Sequence, residues 1–214
     1  MPQGQSTIVG PIRSPEGQLA FPHLMLPETT GKFPSNKFVT TFLMPATTSV
    51  AELVAACLLT AQKEWPALGI TQARQIKLPL RKGADKPGWE GFIFFKAKSK
   101  NKPPLLDARK QVWTGTPKAG DFCKLAVSAM AYKQQVDPEI VPALQAAGIL
   151  ISTGVDENNR PMSWRPATTF LLNGVQWLRA GQPIGGQGAV DGTAAFQEEA
   201  PPAAAGALND DLFT

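Results

Sequence analysis

"WEGFIFFKAKSK", residues 89–100, alternates along almost its whole length. Successive side chains of a strand project to opposite faces. The odd positions Ile93, Phe95, Ala97 and Ser99 suit a small core. The even positions are Phe92, Phe94, Lys96, Lys98 and Lys100, with Lys102 continuing the series. A buried face has no use for three lysines, and a solvated face has none for two phenylalanines. Single-stranded nucleic acid accounts for both residue types. Its bases offer π faces worth ~1–3 kcal/mol each when stacked on aromatic rings, and its phosphates attract lysines. The alternative is that Phe92 and Phe94 pack under a neighbouring loop beside merely solvated lysines. A bulge at Gly91 or Ala97 would exchange the faces.

A second stretch, "DFCKLAVSAMAYK" (121–133), repeats the mixture. Cys123, Leu125, Val127, Ala129 and Ala131 read as core, whereas Phe122, Lys124, Ala126, Ser128, Met130 and Tyr132 share the other face. Further strands are expected at "NKFVTTFLM" (36–44), "ATTFLLNGVQWL" (167–178, bending at Asn173-Gly174), "STIVGPIR" and "GQLAFPHLML". One long helix is expected in "TTSVAELVAACLLTAQKEW" (47–65), with Ser49 and Glu52 at capping-box spacing. Its apolar face runs through Leu53, Cys57 and Ala61 with Ala56 and Leu59 or Thr60, and Pro66 ends it. This pattern is mainly β and predicts a small barrel or sandwich.

Three segments fall outside that core. Residues 78–91 read as a basic loop, with Lys77, Arg81, Lys82, Lys86 and Trp89 in or beside it. Residues 134–166 contain a short helical candidate, "DPEIVPALQAAG", and a turn-like "GVDENNRPMSW". From Gly181 the chain is rich in Gly, Ala and Pro and is expected to be disordered.

The chain has 214 residues and 43% hydrophobic content, enough for one domain with appendages. No apolar run is long enough to span a membrane, and Met1 to Gly10 is not a secretory signal. The net charge of +4 conceals an asymmetry. Residues 74–133 carry 14 Lys and Arg against 4 acids, whereas residues 187–214 carry 5 acids and no base. A basic middle suggests a polyanion partner, and an acidic end suggests a segment that competes with it.

Signals for catalysis are weak. The one histidine, His23, has no ligand cluster, and Cys57 and Cys123 match no metal spacing, so no metal and no cofactor is expected. Both cysteines read as buried free thiols in a reducing compartment. "GGQG" (185–188) precedes no helix, and no G-x-S-x-G elbow is present. "DARKQVW" places Trp113 beside Arg109 and Lys110. Trp89 and Trp113 either stack on bases or cap an open barrel end. No recognition helix with a base-edge code is evident, so binding should be independent of sequence and steeply salt-dependent. The terminal "ALNDDLFT" joins Asp210 and Asp211 to Leu212 and Phe213. Such a tip can lie in a basic groove or dock in a partner's pocket.

Four blocks in this order, "FVTTFLMP" (38–45), "LPLRKGADKPGWEGFIFFKAKSKNKPPLLD" (78–107), "GDFCKLAVSAMAYK" (120–133) and "FLLNGVQWLRAGQPIGG" (170–186), resemble phage-encoded single-stranded DNA-binding proteins of the OB-fold type. The resemblance implies a five-stranded OB barrel over residues 1–186 and a disordered acidic tail over 187–214. It implies a non-enzymatic protein that coats single strands in phage replication, recombination and repair, in the cytoplasm of an infected bacterial host. The tail would contact replication proteins such as polymerase or helicase. A second copy of the chain, in a homodimer, is a further partner to expect. Phe92, Phe94, Phe122, Tyr132, Trp89 and Trp113 would meet bases. Lys77, Arg81, Lys82, Lys96, Lys98, Lys100, Lys102 and Lys124 would meet phosphates. Two departures stand out: residues 134–166 are longer than the family's hairpin, and Thr214 follows the terminal aromatic. The competing readings are a protein-interaction or virion component on the same barrel and, third, a nuclease.

Overall fold

The computed structural model describes residues 7–29, 35–155 and 158–184. The acidic tail, including Asp210, Asp211, Leu212 and Phe213, lies outside them. Among the described residues, nine strands form one sheet: β1 (Ile8–Arg13), β2 (Gly17–His23), β3 (Phe38–Pro45), β4 (Arg81–Lys82), β5 (Phe92–Ser99), β6 (Leu105–Leu106), β7 (Phe122–Val136), β8 (Ser152–Val155) and β9 (Pro161–Arg179). Strands β2, β3, β5, β9 and β7 pair in that order, and β7 pairs again with β2, which closes a ring of five. β5 and β9 run parallel and the other ring pairs antiparallel. β1 and β2 both pair with β7, β1 opposite residues 126–130 and β2 opposite residues 122 and 123.

The alternation of β5 explains the ring's filling. Ile93, Phe95 and Ala97 point inward and are buried. Phe95 meets Phe42 at 5.5 Å and Phe170 at 4.8 Å between ring centroids. Cys123, Leu125, Val127, Ala129 and Ala131 supply the matching row from β7. Fully burying one such large apolar side chain contributes about 1.5–3 kcal/mol. Cys57 and Cys123 are both free and buried, and burial pushes each thiol up to about 12.

The helix α1 (Ala51–Glu64) buries Leu53, Ala56, Cys57, Thr60 and Ala61 against β1, β7 and β9, so Thr60 and not Leu59 completes its inner face. The capping box expected from Ser49 and Glu52 does not form. Val50 is the N-cap, it is buried, and no side chain caps the helix. Burial of Val50 sets where the chain turns in and leaves Ser49 one position too early. Pro66 opens a 3-10 turn (Pro66–Leu68), as a proline that cannot continue the helix should.

Two other segments differ from their sequence reading. Residues 78–91 are not all loop. Leu78 and Leu80 are core, and Arg81 and Lys82 form β4 against Phe94 and Ile93. Lys77 N–H donates to Pro166 O (2.8 Å), and Thr168 N–H donates to Lys77 O (2.9 Å), which fastens the segment to β9. Within residues 134–166, β7 runs on to Val136, a 3-10 turn and the short helix α2 (Val141–Ala146) follow, and β8 pairs with the start of β9. At the start of β9, Trp164 lies 5.9 Å from Trp65, the residue that follows α1.

β9 continues through Asn173-Gly174 instead of ending in a bend. Asn173 is an extra residue opposite the step from Ala126 to Val127, and its amide donates to Ser128 Oγ at 2.6 Å. One inserted residue curves a long strand without terminating it.

Candidate functional site

The outward face of β5 leads to a groove of about 390 Å³. β5 contributes Phe94 and Lys96, β3 contributes Thr41, and β7 contributes Tyr132 and Gln134. The segment fastened to β9 brings Lys77, Leu78, Pro79 and Arg81. The connection after β4 folds back to supply Lys86 and Trp89. Gly83 permits that fold, because a Cβ there would meet Trp89 O at 2.1 Å. Lys86 N–H donates to Gly83 O (2.9 Å), and Trp89 N–H donates to Lys86 O (2.9 Å), which holds the turn.

Six of the residues expected to meet bases or phosphates therefore share one groove, Lys77, Arg81, Trp89, Phe94, Lys96 and Tyr132, together with Lys86 of the basic loop. The two named rings closest to β5 are not open. Phe94 is 7% exposed and Trp89 is 4% exposed. They meet edge to face at 5.0 Å, and the Lys86 ammonium sits 4.4 Å from each ring centroid. Tyr132, at 40% exposure, offers an open ring.

A further open ring escapes sequence reading. Phe21 is 64% exposed, lines the groove, and lies 6.3 Å from Trp89. Its φ of 49° is in the left-handed region, and the pairing of β2 with β3 slips between Ala20 and His23. A non-glycine residue in that region costs roughly 1–2 kcal/mol. The bulge at Phe21-Pro22 turns outward a ring that plain alternation would place elsewhere. The only hint in the sequence is the proline, which cannot donate to a ladder.

The groove's electrostatics are one-sided. Lys96 meets Glu28 at 3.7 Å, whereas no acid among the described residues pairs with Lys77, Arg81 or Lys86. Burial, then the charges of Arg165 and Arg81, hold Lys77 below the ordinary lysine range. Burial, then Arg81, does the same for Lys86. Lys98 is half-buried near Lys37 and Lys96, and burial followed by those two charges lowers it. Lys82, on β4, and Lys100 and Lys102, beyond the end of β5, are exposed.

The remaining candidates lie elsewhere. Phe92 and Phe122 line a second depression of about 410 Å³ with Leu43, Pro45 and Arg179. There the Arg179 guanidinium stacks 3.9 Å over Phe122 and pairs with Glu16 at 2.6 Å. Lys124 is half-buried opposite Gln176 and lines neither space. Trp113 is half-buried and stacks on Trp177 at 5.0 Å and 15°, packed against the main core. Among the described residues no group of three or more His, Cys, Asp or Glu could hold a metal ion. None of the described helices is long and apolar enough to cross a membrane.

Among solved structures, the single-stranded DNA-binding protein from bacteriophage Enc34 aligns at 17% identity and a TM-score of 0.48, over 86% of this chain and 89% of its own. The same protein in complex with ssDNA aligns at 16% and 0.44, over 79% and 85%. gp2.5, a single-stranded DNA binding protein encoded by bacteriophage T7, aligns at 11% and 0.42, over 94% and 100%. No curated protein sequence matches. A family model described as Enterobacter phage Enc34, ssDNA-binding protein matches residues 8–152, more than half of the chain and the part that carries β1 to β7. The family is one of non-enzymatic single-stranded DNA-binding proteins of phages, and this chain belongs to it.

Proposed function

We propose that this protein coats single-stranded DNA with little sequence preference, using the groove on the outer face of an OB-type barrel formed by residues 1–186. The observation that carries this is the groove's make-up: three cations, Lys77, Arg81 and Lys86, that have no acid partner among the described residues, beside open aromatic rings. Lys77, Arg81, Lys86 and Lys96 neutralise phosphates, with Lys82, Lys98, Lys100 and Lys102 extending the basic path and Lys124 adding charge on β7. Phe21 and Tyr132 stack on bases. Phe94 and Trp89 form the floor beneath them and become available when Lys86 leaves their faces for a phosphate. Phe92 and Phe122 serve a longer strand that reaches the second depression. Trp113 serves as a base contact only if the strand passes the far end of the barrel.

The protein's setting is phage DNA replication, recombination and repair in the cytoplasm of the infected host. Residues 187–214 act as an acidic tail that competes for the groove and recruits replication proteins such as a polymerase or helicase through Asp210, Asp211, Leu212 and Phe213. Support for competition comes from the last described residue, Ile184, which packs against the cluster of Ala20, Leu43, Trp89 and Phe94. Two of those residues, Trp89 and Phe94, line the groove.

Fluorescence anisotropy with labelled oligothymidylate, its RNA counterpart and duplex DNA tests the reading. The single strand should bind, with a log-log salt slope of about −0.7 per phosphate contact. No binding at low salt would sink it and favour a protein-interaction or virion role. Deleting residues 187–214 should tighten binding at low salt; unchanged affinity would remove the competition by the tail.

A further inference from the structure

Arg165 lies outside the basic segment 74–133 and beyond residue 152, where the family match ends. It is 6% exposed, and its Nε and Nη2 are buried with no hydrogen-bond partner. In register it stands opposite Gln134, two residues before Ala167, which stands opposite Tyr132. Residues paired across an antiparallel ladder share a face. Arg165 therefore projects to the side of the sheet that carries Tyr132 and Gln134, the groove side.

Its surroundings are positive. Among the described residues no acid pairs with Arg165, and the charges felt by Lys77 and Tyr132 include both Arg165 and Arg81. A buried, unpaired guanidinium is costly to fold around and usually marks a missing counter-charge. Gln134, whose Oε1 is also unpaired, can accept one of its donors but brings no negative charge. A planar fork with free donors suits the two non-bridging oxygens of a phosphate.

We propose that Arg165, with Lys77, Arg81 and the Tyr132 hydroxyl, forms an anchoring subsite for one phosphodiester of the bound strand. The subsite rests on the DNA-binding reading above and adds a fixed point to it. One phosphate is held where β7 and β9 border the groove, while its neighbours are held loosely by exposed lysines. The anchor reads charge and the tetrahedral phosphate, never base identity, so it fits a binder without sequence preference.

The test uses the full chain and a short labelled oligothymidylate, titrated between about 50 and 200 mM salt. Arg165→Met keeps much of the side chain's bulk and removes the charge. It should weaken binding by about tenfold, lower the magnitude of the salt slope by about 0.7, and leave the melting temperature unchanged or raised. Parental affinity and slope in this variant would overturn the anchor. A lower melting temperature with weaker binding at an unchanged slope would also overturn it, by making Arg165 structural. Should Arg165→Met fail to fold, Arg165→Lys decides, since it keeps the charge and loses the fork. About threefold weaker binding at an unchanged slope supports the anchor, and parental affinity overturns it. Failure of the DNA-binding reading looks different, because the parental protein then binds no single strand at low salt and the anchor falls with it.

Discussion

The two depressions on this barrel have nearly the same volume, about 390 and 410 Å³, and both combine phenylalanine with a cation. Their chemistry is opposite. In the second, Arg179 is already spent: Glu16 takes its charge at 2.6 Å and Phe122 takes its face at 3.9 Å. In the first, Glu28 reaches Lys96 alone: Lys77, Arg81 and Lys86 pair with no acid among the described residues, and Phe21 and Tyr132 stand open. Residue type does not distinguish the two; internal compensation does. A surface that has satisfied its own charges has little to gain from a polyanion. One that has not keeps that free energy for its ligand.

The largest effect should come from charge. Replacing Lys77 and Arg81 together with glutamine should cut single-strand affinity by tens of fold and lower the salt-slope magnitude by about 1.4, two phosphates' worth. Arg179→Gln should move the slope far less; equal losses would erase the distinction between the depressions. Next come the rings. Phe21→Ala should cost about 1–3 kcal/mol of binding, read by anisotropy, with folding stability nearly unchanged. Phe92→Ala should show the reverse balance in urea melts, because its ring packs against the small cluster around Phe94. Glu16→Gln should matter less, since an exposed pair contributes roughly 0–1 kcal/mol. A gain in affinity above about threefold would reveal the second depression as a latent DNA site. The smallest effect is on pH. Lys77 and Lys86 are held below the ordinary lysine range, so they lose charge first as pH rises. Affinity should therefore fall on the alkaline side before an ordinary lysine surface would discharge, and an affinity flat to that point counts against both lysines.

Legibility in the sequence followed the range of the cause. The two faces of β5 and β7 could be read because alternation is a property of the strand itself, and Ile93, Phe95, Leu125 and Val127 are buried as expected. The free buried cysteines could be read from the absence of any partner spacing. What could not be read depended on distant contacts. Burial of Val50 displaced the helix cap. The slip at Phe21 needs β3 beside it to be seen as a bulge. Arg165 follows directly on a stretch that reads as a turn, and only the ladder between β7 and β9 sets it opposite Gln134, on the side that carries Tyr132. The covering of Phe94 by Trp89 likewise depends on a turn that Gly83 allows, with no local signal in β5.

The uncompensated cations have a kinetic consequence. Long-range attraction acts before contact, so they set how fast a strand arrives, and added salt should slow arrival. Rings act only at contact, so Phe21 and Tyr132 set how long the strand stays. One groove thus separates capture from residence, and the two can be tuned by different residues.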